Sequence, residues 1–409
     1  TDADRTLRTA ALPGDDVCDP EEMWQQSAAM FGKTPDDYNA AGTTRHLIVL
    51  VSDTSSQCGV GLGTVGPKLS GGLVWVNLDG RAVNLATQTL AHELGHNFDL
   101  AHANARSCTG TVVDTPLEWV WDSRYQISLP RVSAPCEDTE YGDLWSVMGI
   151  AVTRIGATDL GDTPALISVN QRDYLGAMPA GSLASVAVTS APSRTFTLNA
   201  LSSGIGLRGL KVQPTGADPF YVEYRNKTLQ DAGYPRPMPQ LGGVYGAFAA
   251  DVGVKVTKTL PLVDGWGAES AVLTRQVPGS GRYAETLAAG QSIRPLGNAT
   301  VTVLSTTGQQ ARVRVDFALK RFTATSTPRI TGTTKAGKRL TAKAGAWKPS
   351  GATLKYQWKR NGKVIGGATK SSYKLKKADR KKRITVTVTA SRLGYVTVSK
   401  TSKRTAKIR

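Results

Sequence analysis

His92-Glu93-Leu94-Gly95-His96-Asn97-Phe98-Asp99-Leu100-Ala101-His102 is the stretch on which the reading of this chain turns. Leu90, Leu94 and Phe98 recur at the spacing of one helix face and Asn84 offers a capping side chain. A helix is therefore predicted from Leu85 to about Phe98, with those three residues as its buried stripe. On such a helix four residues advance about 400°, which leaves His92 and His96 roughly 40° apart and one turn from each other. Two imidazoles so placed fit adjacent corners of a zinc tetrahedron, at nitrogen–metal distances of about 2.0–2.1 Å. Glu93 is too close to His92 to complete the shell easily, and well placed to hydrogen-bond a water in the open position. His102 lies six residues past His96, beyond the reach of that face, so the chain must turn after about Asn97 to bring it in as a third ligand. The fourth histidine, His46, is expected to pack at the start of a strand.

Outward from this stretch the chain divides into blocks. Before it, Pro20 to Phe31 reads as a helix with Glu21 and Glu22 in its first turn, where the helix dipole favours acids. His46–Val51, Cys58–Val65 and Leu73–Asn77 read as strands. After it, from about Ser185 to Phe317, helical periodicity gives way to short alternating strands, including Phe220–Tyr224, Ala299–Leu304 and Ala311–Phe317, separated by Gly and Pro. That pattern predicts an antiparallel sandwich. A Thr/Ser/Pro-rich stretch from Thr323 reads as a linker. Beyond it, Asn361-Gly362 sits between alternating runs and suits a hairpin turn with positive φ. The expected organisation is multidomain: an α/β domain over residues 1–184, an all-β sandwich over 185–322, a linker at 323–327 and a second all-β sandwich over 328–409.

Charge follows the same division. From Pro328 onward there are 24 Lys+Arg against one acid, Asp379, a balance of +23, while the other 327 residues carry 26 bases and 31 acids. A basic field of that density favours polyanions such as anionic cell-wall or matrix polymers. No aromatics interleave with the run Lys374, Lys376, Lys377, Arg380, Lys381, Lys382, Arg383, which argues against specific nucleic-acid binding. No apolar run approaches the roughly 18 residues a membrane-spanning helix needs. The absence of Met at Thr1 suggests a processed form. Cys18, Cys58, Cys108 and Cys136 contain no CxxC pair and allow three disulfide connectivities. Cys18–Cys58 with Cys108–Cys136 is favoured because each closes a loop within one region. Disulfides imply an oxidising, extracellular setting.

The quoted stretch resembles the metzincin metallopeptidases, whose pattern is HExxHxxGxxH followed by a Met-containing turn. Asp99 stands where that family has Gly, and Asp is among the few side chains that tolerate the left-handed region. Tyr141-Gly142-Asp143-Leu-Trp-Ser-Val-Met148-Gly149 is similar to the Met-turn, with Met148 implied as an apolar floor under the histidines. Ile150 occupies the position at which some members carry a ligating Tyr. Cys58-Gly-Val-Gly-Leu-Gly and Val222-Glu-Tyr-Arg225 add a similarity to the gametolysin-like group, over about residues 40–318. The resemblance implies one catalytic Zn2+ on His92, His96 and His102, with Glu93 as general base. Proteins or peptides are the implied substrates, lying along an edge strand at Val60, Gly61, Leu62, Gly63, Thr64 and Val65. The chain after Met148 would wall the pocket for the residue beyond the cut. Calcium binding cannot be read from these residues.

The tail resembles the Ig-like repeats of secreted actinobacterial proteins in Pro328-Arg-Ile-Thr-Gly332, Gly345-Ala-Trp347, Tyr356-Gln-Trp358, Gly367-Ala-Thr369 and Gly394-Tyr395. Trp358 is implied as its core, and such modules attach or space. The expectation is a secreted, cell-wall-associated zinc endopeptidase. Its alternatives are a surface-binding protein with a structural zinc site and a zinc hydrolase of non-peptide amides. The late third His with a Met-turn does not suit the last of these.

Overall fold

The computed structural model describes residues 19–52, 59–68, 70–78, 83–123, 126–149, 164–188, 192–232, 248–249, 251–263 and 267–409. Strand takes 43% and helix 12%, so the chain is mostly β-sheet, arranged in several sheets. Contacts divide it into two compact units, residues 1–186 with 195–315, and residues 187–194 with 316–409.

In the first unit, α1 (Pro20–Ala29) starts at the Asp19 cap, whose carboxylate accepts from the Glu21 and Glu22 amides. After the single turn α2 (Asp36–Asn39) come β1 (His46–Val51), β2 (Gly61–Gly63) and β3 (Gly72–Asn77). β1 pairs with β3 in parallel and β2 with β3 antiparallel, which leaves β2 at the edge. α1 buries Met23, Trp24 and Ala28 against Leu47, Val51, Leu73 and Trp75. On the other side lies α3 (Val83–Asn97), against β3 and β2. Its first residue is Val83, so Asn84 falls inside the helix and is not its cap.

The chain continues through β4 (Leu100–Cys108), β5 (Leu117–Asp122), β6 (Ile127–Val132), β7 (Cys136–Thr139), α4 (Val169–Leu175), β8 (Leu183–Ala187), β9 (Ser193–Asn199), β10 (Gly209–Gln213), β11 (Phe220–Arg225), β12 (Phe248–Ala249), β13 (Gly253–Thr259) and β14 (Ala268–Leu273). Here the structure departs from the expected boundary at 184/185. β7 and β4 run on into β14, β13, β11, β10 and β8 as one sheet, through a parallel β14–β4 pairing. The residues before and after 184 therefore share a sheet, and residues 185–322 do not form a free-standing sandwich. Hydrophobic patterning gives no warning of this. β4 reads LAHANARSC, too polar to look like a strand, yet pairing on both edges buries most of it. Cys108 and Cys136 face each other across β4 and β7 and are joined by a disulfide, as favoured from the sequence. The other favoured pair, Cys18–Cys58, lies outside the described residues. No helix among the described residues is long and apolar enough to cross a membrane.

In the second unit a three-stranded sheet (Arg329–Gly332, Arg339–Lys343, Ser372–Lys374) and a four-stranded sheet (Lys363–Val364, Thr353–Arg360, Ile384–Ser391, Val398–Thr401) supply a core around Trp358, which is fully buried with Leu340, Tyr373, Ile384 and Val386. The hairpin turn at Asn361-Gly362 has φ of 45° and 87°, the double left-handed geometry its sequence calls for. The stretch from Thr323 is not a linker. Ala324–Thr325 pairs antiparallel with Trp347–Lys348 and belongs to the unit.

Candidate metal centre

The buried face of α3 is not its leucine stripe. Leu90, Leu94 and Phe98 are half-buried, whereas Gln88, Thr89, His92, Glu93, His96 and Asn97 are buried. A face this polar stays buried only if its groups find partners, and His92, Glu93, His96 and Asn97 each have one. Asn97 donates from Nδ2 to the Thr64 carbonyl at 2.8 Å and to the Leu73 carbonyl at 3.2 Å. Its Oδ1 lies 2.9 Å from His46 Nδ1, so His46 braces the helix end and stands apart from the other histidines. Asn97 thereby fixes α3 against β3 and the residue that follows β2, a role that its place in the motif did not suggest.

The helix ends at Asn97 and the chain reverses through Asp99, whose φ of 67° lies in the left-handed region that Asp tolerates. The Tyr174 hydroxyl donates to the Asp99 carboxylate, and the Asp99 carbonyl accepts from the Ala268 amide at 2.7 Å. β4 then carries His102 back toward the helix. One ring nitrogen from each of His92, His96 and His102 lies within 4.8 Å of the others, a group able to hold a metal ion.

Hydrogen bonding fixes which nitrogens those are. His92 Nδ1 lies 2.8 Å from the Val147 carbonyl, His96 Nδ1 2.8 Å from the Leu100 carbonyl, and His102 Nδ1 2.6 Å from Glu140 Oε1. A carbonyl or carboxylate oxygen has no proton to give, so each Nδ1 must donate, and in a neutral ring so held it is Nε2 that has the free lone pair. Burial, aided by the other imidazoles, pushes His92 down to about 4 and His96 to about 3, so both are neutral at pH 7. Neutral imidazoles with bare Nε2 atoms are what a divalent metal requires, and the donor set fits the ion implied by the sequence.

Burial pushes the Glu93 carboxyl up to about 7, opposed by a hydrogen bond from the Gly63 amide. Gly63 and Gly61 face α3 at Glu93, and a Cβ at Gly63 would strike the Glu93 backbone. The glycines of the expected edge strand thus serve the approach of β2 to its helix. Their outward neighbours Val60, Leu62 and Val65 are exposed. Pairing with β3 extends from Val60, through its carbonyl to Asn77, to Thr64, through its amide to Leu73.

Met148 is fully buried beside Leu100, Ala103 and Val147, and a Cβ on Gly95 of α3 would collide with its sulfur. It therefore lies against the helix between His92 and His96 in sequence. Residues 141–149 are pinned to β4 at Ala103, which donates to the Met148 carbonyl at 2.8 Å and accepts from Asp143 at 3.0 Å. Ile150 and the chain expected to wall a pocket after it lie outside the described residues.

The sequence reading missed three neighbours of the site. Glu140 holds His102, Tyr141 lies against its ring at a centroid distance of 3.8 Å, and Asp143 forms a buried ion pair with Lys255 at 2.5 Å. Asp143 and Tyr141 stand inside the Met-turn-like segment, which was the only available signal. Glu140 also lines a cavity of about 440 Å³ with Glu137, Asp138 and Glu269. No protein family, curated protein or solved structure matches this chain.

Proposed function

We propose that the first unit is a zinc-dependent endopeptidase of metzincin type, exported from the cell and tethered to anionic polymers through the basic residues of the second. The observation that carries this reading is the convergence of three histidines with fixed tautomers beside a buried glutamate of raised pKa. His92, His96 and His102 would hold the ion by Nε2. When bound, zinc supplies Lewis acidity toward a carbonyl oxygen and toward water.

The remaining chemistry belongs to the chain. Glu93, with its pKa near 7, accepts a proton at its carboxylate from the attacking water and returns it to the departing amide nitrogen. The Gly63 amide orients that carboxylate. β2, at the edge of its sheet, offers main-chain groups along which an extended peptide can add as a further strand, with Val60 and Leu62 exposed beside it. Met148 and the Val147 carbonyl keep the helix and His92 at fixed depth. In the second unit Lys374, Lys376, Lys377, Arg380, Lys381, Lys382 and Arg383 are all exposed and supply the anion-binding face of what we take to be an Ig-like module.

The test is zinc content together with cleavage of an unfolded protein such as casein, for the wild type and Glu93→Ala. The variant should keep its zinc and lose activity by about 10²–10⁴-fold. Full activity in the variant would remove Glu93 from the mechanism. A zinc-loaded wild type that cuts nothing would favour the surface-binding reading.

A further inference from the structure

His92 and His96 each lean on a main-chain carbonyl, whereas His102 leans on a side chain. Glu140 accepts its Nδ1 proton at 2.6 Å, and the Glu140 side chain is 63% exposed. The next residue, Tyr141, lays its ring on the same imidazole, with centroids 3.8 Å apart and planes inclined by 35°. The ring also reaches His92, at 5.8 Å. Tyr141 does this with φ at 57°, a left-handed conformation that a bulky side chain rarely adopts. Strain of this kind persists where the surroundings over-determine it, and it gathers at functional sites.

We infer that Glu140 and Tyr141 are positioning residues for His102, one gripping the edge of its ring and the other its face. The need arises from the fold. His92 and His96 share a helix, which sets their spacing, but His102 arrives on β4 and has no such constraint. The carboxylate holds the tautomer that leaves Nε2 bare and makes the ring a stronger donor than a carbonyl partner would. The tyrosine ring limits its tilt. The pair thereby sets how tightly the three nitrogens hold a metal. This inference rests on the metal-centre reading above.

The experiment is a zinc titration of the full chain in competition with a chromogenic chelator, for the wild type, Glu140→Ala, Glu140→Gln, Tyr141→Phe, Tyr141→Gly and Glu137→Ala. Thermal unfolding of each metal-free protein accompanies it. Glu140→Ala should bind zinc about 10- to 100-fold more weakly, with its metal-free midpoint unchanged. Glu140→Gln, which keeps an acceptor oxygen, should recover part of that loss. Tyr141→Phe, which keeps the ring, should bind zinc more tightly than Tyr141→Gly. Tyr141→Gly should bind several-fold more weakly, although glycine is the residue best suited to its φ. Glu137→Ala removes an exposed carboxylate of the same cavity and should change nothing. In the Co2+-substituted protein the visible ligand-field bands should shift for Glu140→Ala and stay fixed for Glu137→Ala. Zinc binding by Glu140→Ala within twofold of the wild type overturns the inference while leaving the metal centre intact. So does a loss of affinity matched by an equal collapse of the metal-free fold. A wild type that takes up no zinc overturns the metal centre itself, and the inference with it.

Discussion

The interior of the first unit holds Arg106, Arg225, Lys255 and Lys258, all buried, against Asp114, Asp143, Glu223 and Asp231. The interior of the second holds one charged side chain among the described residues, Asp379, although this unit carries most of the protein's positive charge. The difference follows what each interior must hold in place. In the second unit regular β-ladders satisfy the backbone and an apolar cluster around Trp358 fills the space. In the first, residues 141–149 run beside the histidines without helix or strand, and buried ions take the place of a ladder. Lys255 binds Asp143 at 2.5 Å, Glu285 accepts from the Leu144 amide at 3.2 Å, and Glu223 accepts from the Val169 amide at 2.6 Å. Buried ion pairs add little net stability but penalise any arrangement that separates them. They therefore suit a loop that must hold one shape.

The contrast is most exposed to test at Lys255. Lys255→Ala strands Asp143 beside Glu223 and Glu285 and should cost about 5 kcal/mol in denaturant unfolding of the first unit. A near-native midpoint would show the network to be dispensable. Trp358→Ala, the counterpart in the second unit, should cost about 4 kcal/mol through cavity formation. It should leave zinc binding by the first unit intact, and a loss of zinc there would erase the distinction.

Glu93→Gln sharpens the comparison by removing a charge that the first unit buries at a cost. The folded pKa of Glu93, about 7, lies above the ordinary 4.5, so folding favours the protonated form. The wild type thus loses stability as pH rises from about 4.5 through 7. In the metal-free protein Glu93→Gln should be more stable than the wild type above pH 7, by about 3 kcal/mol. It should be no more stable below pH 4, as a pH series of thermal midpoints would reveal. The smallest effect is expected where charge is exposed. Lys381→Ser and Lys382→Ser should each shift stability by less than about 0.5 kcal/mol, while weakening retention on an anionic polymer.

Local signals were legible and pairing was not. β1 occupies His46–Val51 as its apolar run indicates, and Asn361-Gly362 makes the turn its residues demand. The spacing of His92 and His96 was readable because a helix converts sequence separation into angle. β4 was invisible because Asn104 and Arg106 become buriable only through partners elsewhere, Arg106 through Asp114 and Asp138. The leucine stripe misled for a related reason. Leu90, Leu94 and Phe98 satisfy the helical period, but the face carrying Glu93 and Asn97 has partners waiting on β2 and β3 and is the one buried. Glu140 lies 38 residues from His102, and no spacing rule spans a strand, a hairpin and a disulfide.

Asp379, the one acid from Pro328 onward, is fully buried, bonded to Arg360 at 2.6 Å, Tyr373 at 3.0 Å and the Lys376 amide at 2.6 Å. With that carboxylate sequestered and no histidine in the segment, the charged side chains on its outside are lysines and arginines alone. Adhesion through this surface would ignore acidification of the surroundings and answer to ionic strength alone, so rinsing with brine should detach what a shift in acidity leaves in place.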